Sequence, residues 1–489
     1  MNENQIQNTP SNRLRKRLSS RHLSMIAMGG SIGTGLFIAS GGTIHLAGPS
    51  GAMLAYILVG ILVYFMMSSL GEMSSYMPSA GSFCCHSRAF VGKSFGQAMS
   101  VNYYFNWAIT LAVELSAGAM IMQYWFPHSS SLMWISIFFV SILIINLLNV
   151  RFYAELESYL SLIKIMAIIG FLVIGGLLLT GVIGANHSNL NTPTSILHNW
   201  MIGNHGFHGG LTAIFIAFVL ASFSFQGVEL VGVAAGEAEN PGISIPRAIR
   251  QVFWRIILFY IFTIAIIASL IHYTDPSLLA SDNNQIAHSP FTIILAQAGM
   301  SHVASFMNFI ILIAVLSAAN SNLYSSSRIL FAMSESGNAP RCFGVLTKNG
   351  VPIFAILLTA LIASVVFFSS TIGNGTLFMW LLNISTLSGV VAWLGIIISH
   401  IGFRRHLRRE SISLSSLNFQ AKGFPYGQIY SLIGCVLVIF GQIAILIQQH
   451  DLTITSFIST YILIPILAGI WIWSYCRNRA RVSLMARVM

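Results

Sequence analysis

Runs of 20 or so apolar residues recur along the whole chain, separated by short polar segments, and this limits the folds open to it. Each run, wound as a helix, spans about 30 Å of hydrocarbon. In lipid every backbone amide and carbonyl needs a partner within the segment, which a helix supplies. Of the 489 residues, 55% are hydrophobic and only 8% charged, where a globular domain carries about 25%. An all-α integral membrane protein follows.

Twelve spans are expected, at 23–46, 50–77, 97–126, 131–149, 157–184, 209–236, 250–272, 302–331, 353–370, 376–401, 426–448 and 454–475. Residues 276–300 are ambiguous and are expected as a short helix across the outer surface. Lysine and arginine orient the set. With the N-terminus inside, the outer loops 47–49, 127–130, 185–208, 273–301, 371–375 and 449–453 hold none of the 24 basic residues. All others fall in inner segments or at inner helix ends, with Lys164 as the exception. Both termini are therefore placed in the cytoplasm. The partition is a basic tail (1–21), a ten-helix core (22–402), an inner loop (403–425), two further helices (426–475) and a second basic tail (476–489).

Residues 1–21 lack the short apolar core of a cleavable signal, so the first span is expected to direct insertion. The five cysteines show no metal spacing; Cys84, Cys85 and Cys342 fall in inner loops, where reduced thiols are expected. A net charge of +11 invites a polyanion partner. The charge is scattered over inner loops without an aromatic-lined patch, which excludes nucleic acid. The run RLRKRL is an orientation signal that also meets anionic lipid.

Within the first span, Met25–Phe37 reads MIAMGGSIGTGLF. Gly29, Gly30, Gly33 and Gly35 each weaken a helix by about 1 kcal/mol relative to alanine. Small residues also permit close helix packing, but the sixth span carries a matching interruption, FSFQGVEL at Phe223–Leu230. Paired interruptions in corresponding segments point to a transporter's binding site. If the first and sixth spans correspond, the repeat unit is five spans, an odd number, and the second copy is inverted. The fold expected is a leucine-transporter-type 5+5 inverted repeat plus two helices, with helices 1 and 6 broken. The Gly30–Gly35 run loosely matches a dinucleotide loop, but it follows no strand.

Three ionisable residues lie at bilayer depth: Glu114 in span three, Lys164 in span five and Glu229 in span six. A charge there costs at least about 2.5 kcal/mol, so each faces the interior or a partner. Lys164 lies about 10 Å in from the inner end at 1.5 Å per residue; desolvation makes such a lysine a plausible proton acceptor. Glu72 and Glu237 lie near inner helix ends and are less surprising. The histidines are mostly peripheral, and neither metal nor cofactor is called for.

The chain resembles the amino acid transporter family of the amino acid–polyamine–organocation superfamily, from Arg21 to about Trp473. The likeness rests on RHLSMIAMGGSIGTGLFIASG (21–41), GEMSSYMPSAGSF (71–83), SFSFQGVELVGVAAGEAENP (222–241), IPRAIRQVFWRI (245–256) and LSAANSNLYSSSRIL (316–330). INLLNVRFYAELESYLSLIKI and VAWLGIIISHIGFRR look like the family's lysine-carrying branch. The resemblance implies proton-driven uptake of an L-amino acid, L-lysine foremost, by alternating access across a bacterial inner membrane. Amides around Gly30, Ser31, Ile32, Gly33, Thr34 and Gly35 would hold the substrate carboxylate, as helix N-termini suit anions. Carbonyls near Gly30 and around Phe223, Ser224 and Phe225 would receive the ammonium. Tyr104, Glu114, Gly227 and Glu229 complete the candidate site. Lys164 matches the family's helix-five lysine in proton coupling, with Glu114 and Glu229 as further candidates. Arginine, ornithine, histidine or a neutral amino acid stay open as substrates. An enzyme would need a nucleophile–base pair or a metal cluster that no segment supplies. A lysine sensor signalling through a regulatory membrane partner is the remaining alternative.

Overall fold

The computed structural model describes residues 25, 32–79, 81–148, 150–183, 199–201, 206–234, 241–279, 289–448 and 453–488. Helices dominate, and there is no strand among the described residues. The helices are α1 (Gly35–Tyr76), α2 (Ser82–Phe90), α3 (Lys93–Met122), α4 (Ser131–Leu147), α5 (Val150–Leu179), α6 (Gly210–Ser224), α7 (Leu230–Ala234) and α8 (Ile243–Leu270). After them come α9 (Pro290–Gln297), α10 (Ser301–Glu335), α11 (Ile353–Ile372), α12 (Asn374–Arg409), α13 (Tyr426–Gln448), α14 (Ile454–Tyr461) and α15 (Leu463–Val488). Among the described residues, eight helices are long and apolar enough to cross a membrane.

Several helices expose apolar stripes. Met166, Ile169 and Val173 of α5 are exposed, as are Ile433, Leu437 and Phe440 of α13. Their spacing of three and four residues keeps them on one face, and such continuous apolar faces suit lipid rather than water. By contrast, 94% of the most apolar stretch of α3 is buried. That helix is the central pillar, packed on α10 and α12.

The α1 segment is a helical hairpin. Gly48 has φ +73°, and a Cβ there would lie 2.5 Å from the Gly206 carbonyl oxygen. Only glycine meets both demands at low cost. The freed backbone groups find partners in residues 206–208: Ser50 N–H donates to Gly206 O at 3.0 Å and His208 N–H to Ala47 O at 3.0 Å.

Two expectations need correction. The short helix within 276–300 exists as α9, but it is tucked inward. Phe291 is fully buried, with its ring 5.0 Å from Phe37 and 4.3 Å from Phe171. The apolar run PFTIILAQ needs cover, and the bundle supplies it. Glu72 is no ordinary helix-end carboxylate either. It is fully buried, and its Oε2 accepts from His400 Nε2 at 2.8 Å, Arg404 Nη2 at 2.7 Å and the Ala421 amide at 3.0 Å. Three chain regions meet on one oxygen. Glu237 lies outside the described residues.

Candidate functional site

Two stretches depart from α-geometry and touch. The first is a non-helical residue, Ile32, and a bend at Gly33, then a π-helical turn at Gly35–Ala39. The second is the turn at 225–229 between α6 and α7, where Gly227 has φ +90°. They meet backbone to backbone: a Cβ on Gly35 would lie 2.5 Å from Ser224 Cα. The Ser224 hydroxyl donates to the Gly35 carbonyl at 2.7 Å and shares a 2.9 Å hydrogen bond with Tyr56. Phe225 stacks on Tyr260 with centroids 4.2 Å apart.

Each stretch is bound to a buried carboxylate. Glu114 Oε1 accepts from Thr34 Oγ1 at 3.2 Å, and a Cβ on Gly33 would approach that oxygen to 2.7 Å. Glu229 Oε2 accepts from the Gly227 amide at 3.1 Å and from Trp393 Nε1 at 3.2 Å. In both acids the other oxygen, Glu114 Oε2 and Glu229 Oε1, is buried without a hydrogen-bond partner. An unpaired buried polar atom costs free energy, and a bound water, ion or ligand is one way to satisfy it.

A small cavity lies between the stretches, lined by Gly33, Gly35, Trp107, Thr110, Glu114, Phe223, Ser224, Gln226, Ala318 and Asn322. At about 30 Å³ it has room for water and not for an amino acid, whose pockets run to hundreds of Å³. The site is held shut. A larger cavity of about 190 Å³ lies far from these groups, at the hairpin turn beside His45 and His208.

Of the expected residues, Gly33, Gly35, Glu114, Phe223 and Ser224 line the cavity. Thr34 bonds its carboxylate, and Ile32 is packed in the apolar core. Phe225, Gly227 and Glu229 form the turn and its anchor behind the cavity. Gly30 and Ser31 lie outside the described residues. Tyr104 is not in the lining; its hydroxyl accepts from Thr359 of α11 at 3.5 Å, one turn beyond the face that carries Trp107, Thr110 and Glu114.

Lys164 is fully buried, and its Nζ lies 3.6 Å from Glu157 Oε1. It is not the one basic residue deep in a span, because Arg255 of α8 is 1% exposed. Arg255 Nη2 donates to Tyr260 OH at 3.0 Å, where a π-helical turn at Ile256–Ile261 brings the phenol round. Trp107, Thr110, Ala318, Asn322, Trp393 and Glu157 were absent from the sequence-based site. Helical spacing signals some of them: Trp107, Thr110 and Glu114 share a face, and so do Ala318 and Asn322.

Comparison with known proteins places the chain in a family. The family model described as "Amino acid permease" matches residues 22–485. The chain is 45% identical to the lysine-specific permease LysP of Escherichia coli (strain K12) over 459 residues, covering 94% of this chain and 92% of that one. It is 44% identical to LysP of Lactococcus lactis subsp. cremoris (strain MG1363), with 90% and 86% covered. It is also 44% identical to the histidine permease HisP of the same organism, with 86% and 87% covered. These relatives are permeases, not enzymes, and the chain is a member of the amino acid permease family.

Proposed function

We propose that this protein is a proton-coupled symporter that imports L-lysine across a bacterial cytoplasmic membrane by alternating access, with both termini inside. The supporting observation is the meeting of Gly33–Gly35 and Phe223–Glu229 around a cavity flanked by two buried carboxylates. In this reading twelve spans form two inverted repeats of five plus two helices, and the first and sixth are broken. Amides of Ser31–Gly35 take the substrate carboxylate, and carbonyls near Gly30 and Phe223–Phe225 take the ammonium. Lys164 exchanges the coupling proton, with Glu114 and Glu229 as acids beside the substrate. The shut cavity corresponds to a closed state, and opening toward either face would expand it. Two relatives named as lysine permeases cover most of the chain.

A second reading, histidine as substrate, draws on the 44% identity to HisP. The test is uptake of labelled lysine into proteoliposomes under an acid-outside gradient, with unlabelled lysine, arginine, ornithine and histidine as competitors. Accumulation abolished by a protonophore, with lysine the strongest competitor, is expected. Stronger competition by histidine would move the substrate assignment. Binding without accumulation would overturn the transporter reading in favour of a sensor.

A further inference from the structure

Glu157 has no part in the reading above, yet it is a fully buried acid on the helix that carries Lys164. Seven residues separate the two, so they project from one face of α5, and Glu157 lies about 10 Å nearer the end where α5 begins. That is the end bearing Arg88, Arg328 and Arg404. The carboxylate Oε1 is 3.6 Å from Lys164 Nζ. From α10, the Ser317 hydroxyl lies 2.9 Å and 2.8 Å from the two carboxylate oxygens, and Ser321 stands beside them. Ser317 and Ser321 supply one proton each, whereas the two carboxylate oxygens offer about four lone-pair sites, so the group can still accept a proton from Lys164. The other charged groups acting on Lys164 are Glu114 from α3 and Arg255 from α8.

We propose that Glu157 carries the coupling proton on the last stage between Lys164 and water at the basic end of the bundle. The inference rests on the proposed transport function. In the step, an N–H bond of the Lys164 ammonium breaks and an O–H bond forms on Glu157. An ion pair becomes a neutral amine and a neutral acid. The pair's net charge stays zero through this step, which suits a medium where separating charge is expensive. The acid then loses its proton to water at the basic end, and Lys164 is free to accept the next proton from the cavity side.

The experiment uses the full chain in proteoliposomes, with Glu157→Gln, Glu157→Asp and the double variant Glu157→Gln with Lys164→Met. Three quantities are read: labelled lysine accumulation under an acid-outside gradient, lysine–lysine exchange at equal pH, and substrate-dependent proton entry from an internal pH dye. Glu157→Gln keeps the carboxyl shape and the Ser317 contact. It is expected to lose accumulation and proton entry by about tenfold or more, the scale of a removed acid–base group, while exchange persists. Glu157→Asp should recover part of the loss. Accumulation by Glu157→Gln with the wild-type dependence on outside pH would overturn the proposal. So would joint loss of exchange and accumulation that the double variant restores, because Glu157 would then only neutralise Lys164. Failure of the unaltered protein to accumulate lysine or histidine would instead overturn the transport function itself.

Discussion

Two glycines two residues apart differ in what surrounds them. A Cβ on Gly33 would press on the far end of the Glu114 side chain at 2.7 Å, whereas one on Gly35 would press on Ser224 Cα at 2.5 Å. A side chain yields by a rotamer change; two packed backbones do not. Gly33→Ala is therefore expected to weaken uptake and Gly35→Ala to abolish it, both with normal amounts of protein in the membrane fraction. The reverse order would remove the backbone contact from the account. The carboxylates allow a similar contrast. Glu229 is fully buried and accepts two hydrogen bonds, while Glu155 is exposed at the start of α5. Glu229→Gln keeps the shape and removes the exchangeable proton, so it should reduce uptake by about tenfold or more, the scale of a removed acid–base group. Glu155→Gln should leave it nearly unchanged, and equal mild effects from both would make Glu229 a packed, non-functional acid. At this scale the sequence disclosed Glu114, Lys164 and Glu229, because a charge inside an apolar run is conspicuous. It hid Glu157 and Arg255, which stand close enough to their span ends to pass for boundary residues.

Among the elements, α12 continues through Arg409 into what the sequence marks as a loop from 403, and the segment 410–425 that follows is anchored rather than draped. Arg404 also stacks over Phe424, 4.9 Å from its centroid, and its partner Glu72 binds Ala421 as well. Removing one member of a buried ion pair leaves the other uncompensated, which costs about 3–5 kcal/mol. Glu72→Ala should therefore lower the thermal midpoint in detergent clearly, and adding Arg404→Met should recover part of the loss. An unchanged midpoint in the single variant would mean water reaches the pair. The expectation that Glu72 is an ordinary end residue failed because a helix end looks solvated in sequence. What covers it here is a loop 349 residues away.

For the whole molecule, the distribution of basic residues makes a prediction about sidedness. Cys342, between α10 and α11, and Cys476, on α15, are both exposed. If both termini face inward, a membrane-impermeant maleimide should leave them unlabelled in intact cells and label them after permeabilisation. Labelling in intact cells would reverse the orientation.

The sequence by itself determined that the chain is helical and membrane-embedded, where its apolar runs lie, and that Gly33, Gly35 and the Phe223–Glu229 stretch are special. These are local properties: hydropathy over a helix length, charge against an apolar background, glycine against helix propensity. Only the tertiary structure decided which side chains meet. Thr34 finds Glu114 80 residues on, Gln226 finds the Ser385 and Thr386 carbonyls 159 and 160 residues on, and α9 folds inward onto Phe37. Helical periodicity tells which residues share a face but not which neighbour that face meets. In an apolar bundle many neighbours satisfy the same pattern, so Tyr104 could be placed on the right helix and still face Thr359 instead of the cavity.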